Sequence, residues 1–125
     1  FGIESTHLPF YKELLNFLGW TIFFDGYGII GASGKGECSL WFGPRQHETG
    51  NDYDGSGLNH LAIGVESIAD VDATVAYLKA HGIVVLFATP RHRPDFSRSE
   101  QDTYYQVMFE SPDRILFEVV YTGPK

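Results

Sequence analysis

The sequence predicts an α+β domain built from two βαβββ modules in tandem. Three observations predict it. A short motif recurs, FGIES at 1–5 and IGVES at 63–67, with Gly, Glu and Ser identical and apolar residues at the other two places. Each copy runs into a helix-period segment closed by a glycine. Each such segment is followed by three β-rich runs, the last two joined by a tight turn. A repeated order of elements is the signature of a duplicated unit.

The elements follow in order. After FGIES, the residues Phe10, Leu14 and Phe17 fall at i, i+4 and i+7, with Tyr11, Leu15 and Leu18 one step round. That spacing makes an amphipathic helix. Thr6 can cap it, Pro9 fits its first turn, and Gly19 ends it. After IGVES, Val71, Val75 and Leu78 repeat the spacing, Ser67 with Asp70 forms a capping box, and Gly82 is the stop. WTIFFD (20–25) and IVVLFAT (83–89) read as the next strands. YGIIGA and ECSLWF then flank SGKG, as YQVMFE and ILFEVV flank SPDR. These hairpins align at an offset of 78, which sets Tyr27 on Tyr105, Ser33 on Ser111 and Leu40 on Glu118. The second copy carries a longer loop, 88–102. Residues 43–57 are rich in Gly, Asp and Asn without periodicity and read as a linker. The division is one domain over 1–125, with module one at 1–42, a linker at 43–58 and module two at 59–122.

Composition narrows the function classes. The chain has 125 residues, 43% of them hydrophobic, enough for one packed core. Net charge is −7, and no Lys/Arg cluster is dense enough for a phosphate backbone, so nucleic acid is not expected as a partner. An acidic surface disfavours anionic membranes, and no apolar run approaches the ~20 residues of a span. No signal peptide is visible, and the cytoplasm is the expected compartment. Cys38 is the one cysteine and reads as an ordinary buried residue of an apolar run.

Strand alternation singles out two residues. In NHLAIGV, Leu61, Ile63 and Val65 form an apolar row suited to the helix, and His60, Ala62 and Gly64 form the other row. In ILFEVVY, Ile115, Phe117, Val119 and Tyr121 are the helix row, which turns Leu116, Glu118 and Val120 the opposite way. His60 and Glu118 thus point away from the helix, into one shared pocket. If the turn pairs Glu110 with Ile115, Tyr105, Val107 and Phe109 share Glu118's face. A carboxylate among apolar neighbours must be paired, hydrogen-bonded or bound to metal. Pattern alone also admits a surface Glu on a half-solvated strand and an ordinary satisfied His. His7, His47, His81 and His92 read as solvated, and the cationic loop 90–98 either clamps an anion or is solvated.

Three stretches resemble the vicinal oxygen chelate superfamily, the group of glyoxalase I, bleomycin- and fosfomycin-resistance proteins and extradiol dioxygenases. They are FYKELLNFLGW, NHLAIGVES and YYQVMFESPDRILFEVV, and together the resemblance covers nearly the whole chain. It implies the glyoxalase/bleomycin-resistance fold, a half-open barrel around a central pocket, and a homodimer. It also implies a metal site fed by the first and last strands of each module. Module two supplies His60 and Glu118. Module one has Leu40 where a second carboxylate is expected, and the counterpart of His60 falls three residues before Phe1. Two His and one carboxylate suit Mn, Fe, Ni or Zn. The extradiol signature is not met, because Ser99, Glu100 and Gln101 stand where it has a His and Arg114 where it has Gly or Pro.

The expected function is a glyoxalase-type metal-dependent enzyme acting on a small oxygen-bearing substrate, with lyase, isomerase or transferase chemistry. His60 and Glu118 are its metal ligands, and Glu118 and Tyr105 its catalytic residues. The alternative is a metal-free protein that sequesters an antibiotic or metabolite in an acidic, aromatic pocket, as bleomycin-resistance proteins do.

Overall fold

The computed structural model describes residues 1–125. Its elements divide into two compact units, Phe1–Asn51 and Asp52–Lys125. The segment read as a linker falls on both sides of that division. Each unit has one helix and one open four-stranded mixed sheet, and the strand order is the same in both, first–fourth–third–second.

The first unit runs β1 (Gly2–Ile3), α1 (Leu8–Phe17), β2 (Thr21–Gly26), β3 (Ile29–Ser33) and β4 (Ser39–Pro44). β1 joins β4 in parallel, and β2, β3 and β4 form an antiparallel meander. The helix buries Tyr11, Leu14 and Leu15, and the Tyr11 ring stacks on Phe42 at 4.5 Å between centroids. Thr6 does not cap the helix. It lies in a 3-10 turn, Ser5–His7, that precedes it. Gly19 ends the helix at φ +82°, a conformation a Cβ disfavours. Cys38 is exposed rather than buried, because β4 begins only at Ser39 and leaves Cys38 in the hairpin loop.

The second unit runs β5 (Leu61–Gly64), α2 (Ile68–Ala80), β6 (Val85–His92), β7 (Asp102–Glu110) and β8 (Leu116–Pro124). Ser67 caps α2 in both directions: its Oγ accepts the Asp70 N–H at 3.1 Å and donates to the Asp70 carboxylate at 2.8 Å. The core joins Val71 and Leu78 of α2 to Val107, Phe109, Phe117 and Val119 of β7 and β8, all fully buried. β6 continues into the stretch read as a loop. A register shift between Leu86 and Arg91, with Phe87 and Ala88 at positive φ, restarts the pairing with β7 further on.

The ladder β7–β8 corrects the expected register. Glu110 pairs with Leu116, not Ile115, because the turn holds five residues: the Ser111 N–H donates to the Ile115 carbonyl and Arg114 takes φ +57°. A one-residue slip exchanges the two faces of a strand. Glu118 therefore faces Met108, and its face carries Tyr104, Gln106 and Met108 in place of Tyr105, Val107 and Phe109. The first hairpin has the same five-residue turn, from Ser33 to Ser39. Both strands of the two hairpins thus correspond at an offset of 77 rather than 78. Gly31 opposite Trp41 matches Met108 opposite Glu118. The counterpart of Glu118 is Trp41, not Leu40. The first strands keep their offset, since Gly2 beside Gly43 corresponds to Gly64 beside Val120.

Candidate functional site

β8 and the approach to β5 bring two of the candidate residues together. Ala62 lies beside Glu118 in the parallel β5–β8 pairing, and His60 immediately precedes β5. The His60 Nε2 lies 3.0 Å from the Glu118 Oε2. The Glu118 side chain is 3% exposed and that of His60 is 37% exposed, so the pair is a covered carboxylate with a solvent-reachable imidazole. Burying the carboxylate demands partners for both oxygens. The Tyr104 hydroxyl supplies the second, donating to Oε1 at 2.6 Å. Burial, and then this bond to a carboxylate, push the Tyr104 phenol up to about 12, which keeps it a donor.

Tyr105 is not brought to the pair. It shares its face with Val107 and Phe109, opposite Tyr121, and its hydroxyl donates to Asp72 of α2 at 2.7 Å. Strand parity is the whole difference between the two tyrosines.

The imidazole is held from its other nitrogen. His60 Nδ1 lies 2.8 Å from the Asn59 Oδ1, and the Asn59 Nδ2 donates to the Tyr53 carbonyl at 2.9 Å. Tyr53 is itself anchored: its hydroxyl donates to the Glu110 carboxylate, and the Arg114 guanidinium lies over its ring at 5.2 Å.

Around the pair is a cavity of about 490 Å³, walled by Phe87, Phe96, Met108 and Leu116, with Gln106 and Arg93 among its polar groups. The β6 register shift carries Phe87 to this wall. The Arg93 guanidinium lies 4.4 Å from the Phe96 ring centroid and is gripped by Asp95, Nε at 3.2 Å and Nη2 at 2.8 Å. That bond lowers the Asp95 carboxyl below its usual range and raises the guanidinium. The cavity is thus mostly apolar, with one covered carboxylate and one stacked cation, the make-up of a small-molecule pocket.

The pair fits a divalent cation. Two ligands at right angles with bonds near 2.1 Å are about 3.0 Å apart, the separation of these two atoms. An Nδ1–H donated to the Asn59 Oδ1 would be an outer bond of the kind that orients a ligating histidine. The pair is also the limit of what the second unit assembles, as no group of three His, Cys, Asp or Glu side chains converges. Asn59, Tyr104 and Met108 were not singled out from sequence. No signal in the sequence could have found Tyr104 and Met108, because both hairpins read as four-residue turns and both hold five.

No family model matches the sequence. The uncharacterized protein YqjT of Bacillus subtilis (strain 168) is 44% identical over 64 residues, which are 51% of this chain and 46% of that protein. The matched stretch therefore spans about half of each. Among solved structures, a glyoxalase-like protein of Bacillus halodurans superposes with a TM-score of 0.76 at 24% identity, covering 97% of this chain and 89% of that one. A glyoxylase/bleomycin resistance protein/dioxygenase domain of Frankia sp. EAN1pec gives 0.65 at 19% identity, over 98% and 91%. The fosfomycin resistance protein FosX of Listeria monocytogenes, complexed with Mn(II) and sulfate, gives 0.61 at 18% identity, over 90% and 78%. The chain has the fold of the vicinal oxygen chelate superfamily, that of the glyoxalase, bleomycin-resistance and FosX proteins.

Proposed function

We propose that the protein is a metal-dependent enzyme of glyoxalase type acting on a small oxygen-bearing substrate, with His60 and Glu118 as the two ligands of its second module. The observation that carries this reading is the Nε2–Oε2 separation of 3.0 Å, with the far nitrogen of the ring already committed to Asn59. A bound Mn, Fe, Ni or Zn ion supplies Lewis acidity toward adjacent oxygens of a substrate. The chain's own residues do the rest. Glu118 offers a covered negative charge, Tyr104 fixes its second oxygen, and Phe87, Phe96 and Met108 give the pocket an apolar wall. The chemistry is of lyase, isomerase or transferase type. The resemblance alone supports a cytoplasmic homodimer and a single domain with modules at 1–42 and 59–122.

A second reading is a metal-free protein that sequesters a small molecule. Trp41 favours it, standing in the first module where Glu118 stands in the second. Metal analysis of the purified protein, with thermal melts in Mn(II), Ni(II) or Zn(II) and in chelator, separates the two. A melting point raised by one of these ions, and lowered again by chelator, supports the enzyme. A protein that carries no metal and whose melting point ignores both additions supports the sequestering protein.

A further inference from the structure

We propose that Asn59 is a positioning residue that keeps a hydrogen on Nδ1 of His60 and so leaves Nε2 for Glu118, an inference whose metal arm rests on the proposed function. His60 precedes β5, so no ladder bond fixes its ring. The constraint arrives through side chains. A carboxamide has an acceptor end and a donor end. The Tyr53 carbonyl can only accept, so the Asn59 NH2 faces it, at 2.9 Å. The Oδ1 is thereby aimed at His60, where it meets Nδ1 at 2.8 Å. A rotated amide would set Oδ1 against the Tyr53 carbonyl oxygen, two acceptors face to face, and lose that bond. An acceptor at Nδ1 requires that Nδ1 carry a hydrogen.

The other nitrogen, Nε2, then faces the Glu118 Oε2 at 3.0 Å. Two lone pairs at that distance repel, so either a proton or a cation lies between them. Asn59 thus leaves the Nε2 lone pair for a proton or a cation shared with Glu118. The anchor is firm, because Tyr53 is 7% exposed and its hydroxyl is bound to Glu110. A line of contacts runs from Glu110 through Tyr53, Asn59 and His60 to Glu118, all within the second unit.

The test uses the full chain as wild type, Asn59→Asp and Asn59→Leu. Asp keeps an acceptor toward Nδ1, whereas Leu keeps roughly the bulk and removes both bonds. Two-bond 1H–15N spectra of the imidazoles report which ring nitrogen carries a hydrogen. His60→Gln assigns the signal. Wild type and Asn59→Asp are expected to hold a hydrogen on Nδ1, whether or not Nε2 also carries one, and Asn59→Leu to carry its hydrogen on Nε2 alone, where Glu118 accepts it. Mn(II) affinity, read from its paramagnetic resonance, is expected to fall about 10–100-fold in Asn59→Leu and to stay within a few-fold of wild type in Asn59→Asp. An unchanged tautomer in Asn59→Leu overturns the proposal. So does a wild-type ring with its hydrogen on Nε2 alone. If Asn59→Leu does not fold, the wild-type and Asn59→Asp spectra decide it. A wild type that binds no Mn(II) sinks the metal reading, and the tautomers alone then decide the role of Asn59.

Discussion

Tyr104 donates to the Glu118 carboxylate at 2.6 Å although the ladder partner of Glu118 is Met108, two same-face positions further along β7. The length of a tyrosine and the twist of the hairpin bring the hydroxyl back over the strand to the covered oxygen. This oxygen then depends on Tyr104 alone, as the other depends on His60.

Tyr104→Phe removes that donor and leaves Oε1 covered without a partner. The expected cost is about 1–3 kcal/mol, the usual penalty of an unsatisfied buried acceptor. Urea unfolding of the variant against wild type measures it. An unchanged midpoint means that water replaces the hydroxyl and that the carboxylate is less covered than the structure has it.

Glu118→Gln keeps the shape and removes the charge. Under the metal reading, Mn(II) affinity falls at least about 10-fold and activity is lost with the fold intact, since a neutral amide is a poor ligand for a hard cation. Titration calorimetry with Mn(II), beside circular dichroism of both proteins, checks this. Equal affinity in the two proteins excludes Glu118 as a ligand.

Tyr105 gives a pH prediction away from the site. Burial first, then its bond to Asp72, push its phenol up to about 12 from an ordinary value near 10. The folded state therefore holds this proton more tightly than the unfolded chain does. The stabilisation is complete below about pH 10 and is lost as pH rises toward 12. Tyr105→Phe removes this contribution, so its melting point is expected to fall less steeply over that window. Parallel slopes for variant and wild type would contradict the burial of this hydroxyl.

Gly31→Ala tests the first sheet. A Cβ there meets the Trp41 ring at 2.8 Å, too close for both to stay. Trp41 is 43% exposed and can swing outward, so the expected cost is low, about 1 kcal/mol, at the bottom of the range for overpacking. The readout is tryptophan emission, expected to shift red as Trp41 gains water. Loss of the fold would mean that the ring is locked where it lies.

Much of this protein was legible because the chain states the order of its elements twice. The FGIES–IGVES match, the two glycine-closed helices and the paired hairpins gave the topology, and alternation in NHLAIGV and ILFEVVY placed His60 and Glu118 on one side. Register was not legible, because turn composition does not state turn length. SPDR reads as a four-residue turn, and only the conformation of Arg114 at φ +57° and the closing bond from Ser111 to Ile115 make it five. That one residue exchanged Tyr105 for Tyr104 and Leu40 for Trp41. Asn59 was hidden for another reason. Its role depends on Tyr53, six residues away in a stretch without periodicity, and no spacing rule covers such a contact.

The pairing of Trp41 with Gly31 also sets how the two halves can change. In the second sheet a carboxylate has Met108 across from it. In the first, an indole lies on a bare glycine backbone. A carboxylate placed there by Trp41→Glu alone would lie over open backbone, wet on the side where Met108 stands beside Glu118. Covering it as Glu118 is covered takes a second change, at Gly31. The two sheets thus differ at this place by a facing pair of residues and not by one alone.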